Sequence, residues 1–474
     1  MKDGSDTPKN GGYDLIVIGA GSAGFSAAIT AADLGKRVAL VGHGTIGGTC
    51  VNVGCVPSKF MIRAAETQHG AAAASRFPGL GAEGRVTDWP ALVQAKRDLV
   101  GTLRQKKYAD LLPEYESVTY MQGAARFEDG GIRVSDALLT APRILIATGG
   151  RPSIAPIPGI EAVETLDSTS LLEMDALPES LTVLGGGYIG AELAQAMARL
   201  GVKVSVICRS RLLPQVEPEV SAALTDAFAA EGIEMYCGIT YDACRQDAAG
   251  VTVCVEKDGK PLEITSEKLF VATGRRPNTD GMGLAEAGIE TNAQGAIVVG
   301  DDMQTSRPGT YAAGDVSDRD QFVYMAAYGA KIAAKNAVAG EANRYDNATM
   351  PWVVFTDPQV AGVGLSEAQA RDAGHEVKTS VIGLDNVPRA LAALDTRGLI
   401  KLVADAKTDR LLGGQIIAPE GSDSIQTLAL ALKFGMTAKA LGETIFPYLT
   451  TVEGLKLAAQ TFDMDVAKLS CCAG

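Results

Sequence analysis

Asp14-Leu-Ile-Val-Ile-Gly19-Ala-Gly-Ser-Ala-Gly24 opens on a short apolar run and closes on a glycine-rich turn. Leu181-Thr-Val-Leu184-Gly185-Gly-Gly-Tyr-Ile-Gly190 repeats the pattern. Consecutive apolar residues without alternation suit a strand buried on both faces, as in a parallel sheet. An Ala-rich stretch reaching Leu34 follows the first turn and predicts a helix, ended by Gly35, with Arg37 to Val41 as the next strand. Ala191 to Leu200 is the corresponding helix of the second unit, stopped by Gly201 and followed by a strand from Val202 to Ile207. Glycines placed this way let the backbone approach a pyrophosphate, while the helix N-terminus offers unpaired N–H groups and the positive end of its dipole. The candidate nucleotide contacts are therefore Gly19, Gly21, Ser22 and Gly24 in one unit, and Gly185, Gly187, Tyr188, Ile189 and Gly190 in the other.

A second echo extends the repeat. Ile146-Ala-Thr148-Gly149 and Val271-Ala-Thr-Gly274 each end a strand at matching offsets past the two glycine turns. Proline-bearing segments follow both, Arg151 to Pro158 and Arg275 to Pro277, and read as crossings between domains. Beyond about residue 346 the texture changes. Pro351 to Gly364 and Ile400 to Gly414 read as strands, and Glu420 to Met436 and Val452 to Gln460 as helices, making a separate α+β domain. The expected organisation is α/β with two Rossmann-like dinucleotide-binding domains. A tail spans 1–12, a first nucleotide domain 13–150, a second 151–275, a return to the first 276–345, and a C-terminal domain 346–474.

The 474 residues are too many for one core, in keeping with that division. A net charge of −13 and 5% aromatic residues argue against a nucleic-acid partner, which favours basic patches and stacking rings. No apolar run reaches the roughly 18–20 residues of a membrane span. The polar, Gly-rich Met1–Gly12 lacks a signal-peptide core, so a cytoplasmic location is expected. Eight cysteines are too sparse for a secreted disulfide scaffold. Cys208, Cys237, Cys244 and Cys254 are scattered and read as separate small residues.

The ribose selectors differ between the units. An acidic residue ending the second strand would bind a ribose 2′-OH, but the first unit ends Val41-Gly42-His43. The second ends Cys208-Arg209-Ser-Arg211, and arginines without an acid suit a 2′-phosphate, hence NADPH. The sharpest local signal is Gly47-Gly48-Thr49-Cys50-Val-Asn-Val-Gly-Cys55-Val-Pro-Ser-Lys59. Two cysteines five positions apart at a helix start can close a disulfide, and the helix dipole favours the thiolate. A structural zinc site would need more ligands than this neighbourhood supplies.

This stretch, with the flanking nucleotide units, resembles the pyridine nucleotide–disulfide oxidoreductases, a family that includes glutathione and lipoamide reductases and enzymes that reduce Hg(II). The similarity runs over nearly the whole chain from Tyr13. It implies FAD in the first unit and Cys50 as the substrate-facing interchange thiol. Cys55 is then the thiol beside the flavin, and Lys59 and Glu192 form an ion pair at the isoalloxazine ring. It also implies FAD contacts from Gly48, Thr49, Lys59, Thr148, Gly149 and the Gly314-Asp315 motif, with Asp315 on the ribitol. Gly274 is assigned to the nicotinamide nucleotide, and the C-terminal domain to dimerisation, in a homodimer whose active sites are shared between subunits.

Disulfide-reducing members carry a C-terminal histidine followed five residues later by glutamate. Here Phe446-Pro-Tyr448-Leu-Thr-Thr-Val-Glu453 puts tyrosine in that place, and the three histidines are His43, His69 and His375. A tyrosine of pKa near 10 is a poor base at neutral pH. The ending Cys471-Cys472-Ala-Gly474 supplies adjacent soft thiolates instead. That ending, Tyr448 and Phe355-Thr-Asp-Pro-Gln are similar to the Hg(II)-reducing members, as is Tyr108. The resemblance thus implies Hg(II) as substrate, arriving as a thiol complex and held by Cys471 and Cys472, then by Cys50 and Cys55. It also implies a catalytic core without the N-terminal metal-binding domain of many relatives. A general disulfide reductase, and a flavoprotein that sequesters metal without turnover, remain as other readings.

Overall fold

The computed structural model describes residues 12–128, 130–317 and 319–468. The fold is α/β, in two compact units: Met1–Ser58, Val93–Ser153 and Arg275–Asp346 form one; Lys59–Leu92, Ile154–Gly274 and Asn347–Gly474 form the other.

In the first unit Leu15–Ile18 lies at the centre of a parallel sheet. The order is Thr310–Ala312, Ile144–Ile146, Leu15–Ile18, Val38–Gly42, Val118–Gln122. All of Leu15–Ile18 is buried, which is why it reads as an unbroken apolar run. Strand order reverses on the two sides of Leu15–Ile18, so a crevice opens beyond the carboxyl ends at that point. The helices Ser22–Asp33 and Val323–Ala339 pack closely, and both are rich in buried alanines, among them Ala23, Ala27, Ala31, Ala326 and Ala330, whose small side chains let backbones approach. The proline-bearing segments Gly150–Pro152 and Arg275–Pro277 pair with each other as an antiparallel two-stranded ribbon, a place where a missing proline N–H is tolerated.

The second unit repeats the parallel design in the order Glu234–Cys237, Lys203–Cys208, Ser180–Leu184, Lys268–Val271, Thr165–Leu166. An antiparallel sheet of Ile239–Asp247, Gly250–Lys257 and Lys260–Ser266 is added to it. The C-terminal sheet is antiparallel, ordered Trp352–Val354, Gln359–Gly364, Leu411–Ala418, Leu399–Asp405, Val377–Gly383, and it packs against Gly421–Lys433 and Glu453–Gln460. Two expected strands are thus corrected. Pro351–Gly364 is divided by the Phe355–Pro358 segment, and Ile400–Gly414 is a hairpin turning at Asp409, whose φ is +59°. Val377–Gly383 went unread because Lys378, Thr379 and Ser380 blur its alternation.

A buried charge cluster joins the pieces of the second unit. Arg199, 3% exposed, contacts Glu231 at 2.6 Å and Asp357 at 2.9 Å. Arg397 contacts Asp395 at 2.8 Å and Glu231 at 3.2 Å. His69 lies beside them, its Nε2 3.9 Å from Glu231. Burial, then the Arg199 charge, holds the His69 pKa below its ordinary value. A histidine depressed in the folded state stays neutral there while the unfolded chain takes up its proton. Its contribution therefore weakens stability as pH falls from 6.5 toward the lowered value. Thermal melts of the parent should lose stability as pH falls below about 6.5, and His69→Asn should flatten that slope. An unchanged slope in the variant would assign the pH response elsewhere.

Candidate active site

The first glycine turn is shaped by contacts that leave no room for side chains. A β-carbon on Gly19 would lie 2.1 Å from the Ala147 carbonyl oxygen, and one on Gly48 would lie 2.6 Å from the Gly21 α-carbon. Gly314 stands against Ala23, at 3.3 Å by the same measure, while the space beside Gly149 is open. The segments after Leu15–Ile18, Ile144–Ile146 and Thr310–Ala312 therefore meet at the carboxyl edge of one sheet. They bring Gly19, Gly21, Ser22, Gly24, Gly48, Thr148, Gly149, Gly314 and Asp315 into one neighbourhood. This cradle, open at Gly149 and closed to side chains at Gly19, fits a dinucleotide pyrophosphate. The Thr148 hydroxyl donates to the Asn278 carbonyl at 2.7 Å, and Arg275 lies 3.4 Å from Asp315.

No acid stands at Gly42, and the structure supplies a reason. A β-carbon there would lie 2.6 Å from the Tyr120 hydroxyl. Tyr120, whose pKa burial raises, fills the place beside the strand end. Sequence reading missed it because the pairing of Gly42 with Gln122 across Val118–Gln122 is a tertiary fact.

Gly47, with φ +96°, caps the short helix Gly48–Asn52, which carries the half-buried Cys50. Val53 and Gly54 interrupt the chain, and Cys55 is the first residue of the helix Cys55–Ala72. The two cysteines thus occupy successive helices, Cys50 as the third residue of one and Cys55 as the first residue of the next. Asn52 braces the turn: its side-chain amide donates to the carbonyls of Ile46 and Gly48, each at 2.9 Å, and accepts from Arg104 at 3.1 Å. Neither brace was legible in the sequence. Tyr108 sits in the π-turn Gln105–Ala109, with its ring edge-on to Phe25 at 4.8 Å and its hydroxyl 3.4 Å from Ser22. It therefore stands against the glycine turn.

In the second unit Lys59 donates to Glu192 at 2.7 Å and stands 4.8 Å over the Phe355 ring. The other Glu192 oxygen accepts the Phe355 N–H at 2.9 Å. The nucleotide turn repeats the first, with open space at Gly187 and Gly274. Tyr188 begins the helix Tyr188–Arg199 and stacks on Trp352 at 5.9 Å, and burial raises its pKa. Ile189 is exposed. Arg209 is exposed, whereas Arg211 donates to the carbonyls of Pro214 and Val216 at 2.9 and 2.6 Å and so braces its own loop. Tyr448 is exposed, and buried Glu453 accepts the Leu449 N–H at 3.1 Å. Cys471 and Cys472 lie outside the described residues. Among the described residues no group of three or more His, Cys, Asp or Glu side chains is placed to hold a metal ion, and no helix is long and apolar enough to cross a membrane.

Residues 13–334 match the pyridine nucleotide-disulphide oxidoreductase family, and residues 350–459 match its dimerisation domain. The chain belongs to this family. Membership implies a flavin and a pyridine nucleotide. Among curated relatives, the mercuric reductase of Bacillus cereus is 47% identical over 464 residues, spanning 98% of this chain and 73% of that protein. The mercuric reductase of Streptomyces lividans is 45% identical and spans 98% and 99%. Among solved structures, the HOCl-induced flavoprotein disulfide reductase RclA from Escherichia coli is similar with a TM-score of 0.83 at 29% identity, covering 94% of this chain and 99% of that one.

Glu192 offers a direct test of the ion pair. Glu192→Ala removes both the Lys59 partner and the Phe355 acceptor and should cost about 1–3 kcal/mol in urea unfolding. Glu192→Gln keeps an acceptor oxygen and should cost less; equal losses would show that the charge alone matters.

Proposed function

We propose that this chain is an NADPH-dependent flavoenzyme that reduces Hg(II) to Hg(0), with the balance NADPH + Hg(II) → NADP⁺ + H⁺ + Hg(0). The observation that carries this reading is the exposed Tyr448, at the place where disulfide-reducing relatives have histidine, in a chain that also carries the adjacent pair Cys471-Cys472. Its near-full-length likeness to the mercuric reductases supports it. FAD, when bound, supplies two-electron transfer between the nicotinamide and the metal site.

The chain's own residues bind and orient. Gly19, Gly21, Ser22 and Gly24 hold the FAD pyrophosphate at the start of Ser22–Asp33, with Gly48, Thr49, Thr148, Gly149, Gly314 and Asp315 around it. Lys59 and Glu192 supply a fixed charge pair for the isoalloxazine ring. Gly185, Gly187, Tyr188, Ile189, Gly190 and Gly274 hold the nicotinamide nucleotide. Exposed Arg209 meets the 2′-phosphate, and Arg211 shapes the loop that carries it. Domain boundaries follow the sequence division: FAD binding at 13–150 and 276–345, NADPH binding at 151–275, and dimerisation at 346–474.

Hg(II) reaches Cys471 and Cys472 as a dithiol complex, and two incoming thiolates displace two outgoing ones. A second exchange passes it to Cys50 and Cys55. Soft thiolates suit this ion, and Tyr108 and Tyr448 flank its path. The working form is a cytoplasmic homodimer. Phe434, 78% exposed, and Ile445, 95% exposed, lie in the region matching the dimerisation domain and are apolar surface for a second copy to cover. Each site then takes Tyr448, Cys471 and Cys472 from the other subunit.

NADPH oxidation in excess low-molecular thiol should depend on Hg(II) and fall at least tenfold in Cys471→Ala/Cys472→Ala. Oxidation driven by oxidised glutathione and indifferent to Hg(II) would make the chain a disulfide reductase. Stoichiometric metal binding without steady NADPH consumption would make it a sequestering protein. Mixed dimers of Cys50→Ala and Cys472→Ala should regain activity above either parent; none above the parents would remove the shared site.

A further inference from the structure

Cys208 and Cys237 are 29 positions apart in sequence, and their sulfurs are 2.9 Å apart in the structure. They end neighbouring parallel strands, Lys203–Cys208 and Glu234–Cys237, as direct register partners. Strands about 4.8 Å apart put two α-carbons inside the range that a disulfide spans. A soft metal ion bridged linearly, with bonds of about 2.3 Å, would need the sulfurs roughly 4.6 Å apart, so the geometry favours disulfide closure over metal capture.

The pair is asymmetric. Cys208 is buried, and Cys237 is half-buried and so the more accessible of the two. The hydrogen bond from Cys208 is the largest cause lowering the Cys237 pKa, to about 7, while the same contact and burial push Cys208 up. The Leu212 N–H and Lys257 also favour the Cys237 thiolate.

This dithiol adjoins the loop that follows Lys203–Cys208. A β-carbon on Gly186, in the second glycine turn, would lie 3.0 Å from the Cys208 β-carbon. The Leu213 N–H donates to the Gly186 carbonyl at 2.7 Å, and Leu212 faces the Cys237 sulfur. The 209–213 loop, which carries Arg209, is thus anchored at the glycine turn and at the thiolate.

We propose that Cys208 and Cys237 are a second redox dithiol, closed to a disulfide by hydrogen peroxide, and that closure weakens binding of the nicotinamide nucleotide by loosening the 209–213 loop. The effect on nucleotide binding rests on the NADPH reading above; the disulfide does not. The Cys237 thiolate attacks the peroxide O–O bond, forming a sulfenic acid and releasing hydroxide, which takes the Cys208 proton as water. The Cys208 thiolate then attacks the Cys237 sulfur and expels the second oxygen, which leaves as water with the remaining proton. Two thiols lose two electrons, and one peroxide becomes two waters. The disulfide no longer offers Leu212 an anionic acceptor. Thiol exchange restores the pair.

The test treats the full-length holoenzyme with hydrogen peroxide, removes the excess, and maps cysteines by mass spectrometry without reduction. The KM for NADPH is then measured with an artificial electron acceptor. A Cys208–Cys237 cross-linked peptide is expected. The KM should rise about tenfold, the scale of one charge-assisted hydrogen bond, and recover with dithiothreitol. Cys237→Ser should show neither change. Recovery of both cysteines reduced under conditions that oxidise Cys50 and Cys55 would overturn the dithiol, and a cross-link without a KM shift would overturn its effect on the nucleotide. If the untreated enzyme showed no saturable NADPH dependence, the nucleotide reading would fail, and a mapped cross-link would still support the dithiol.

Discussion

Both nucleotide units depend on one backbone contact. The first glycine of each turn presses its α-carbon against the carbonyl that follows the neighbouring strand. A β-carbon at Gly19 would stand 2.1 Å from the Ala147 oxygen, and one at Gly185 2.3 Å from the Ala272 oxygen. Both glycines have positive φ, +119° and +115°, so a side chain there would meet both the wall and its own backbone. The last glycine of each turn then lies under the first. A β-carbon on Gly24 would come within 1.7 Å of the Gly19 oxygen, and one on Gly190 within 2.1 Å of Gly185. Strand, turn and helix are locked together by these approaches, and the helix N-terminus is aimed at whatever fills the crevice.

That constraint explains the order of the chemistry along the chain. Functional segments follow the carboxyl ends of strands, where the sheet order reverses, and the cysteine helices follow the first unit's second strand. Fixed charge is handled differently. Glu192, 7% exposed, serves Lys59 and the Phe355 N–H together, and Lys401, 2% exposed, is held by Glu217, Glu219 and Glu367. Removing one partner from such a cluster leaves a buried charge uncompensated, which is strongly destabilising.

The thiols separate by environment. Cys55 begins a long helix. Cys237 depends on a neighbouring thiol and a backbone N–H. Cys244 is buried in an apolar cluster, and burial pushes its pKa up to about 11, the state of an inert core residue. Three cysteines of the same chain thus differ in environment for reasons that lie outside their side chains.

The two glycine-turn units, the cysteine stretch and the family are legible in the amino-acid sequence. Each is carried by contiguous residues whose pattern has a local physical cause: apolar runs for buried strands, glycines for close approach, spacing for a thiol pair. Lys59 and Glu192 could be paired in the sequence only through resemblance, because 133 positions separate them. Three contacts exist only in the folded chain: Tyr120 fills the space beside Gly42, Asn52 and Arg104 brace the cysteine turn, and Arg211 braces its own loop. Folding alone turned Cys208 and Cys237 from scattered residues into neighbours. Strand register creates such contacts, and register follows from the packing of whole sheets, which no local stretch encodes.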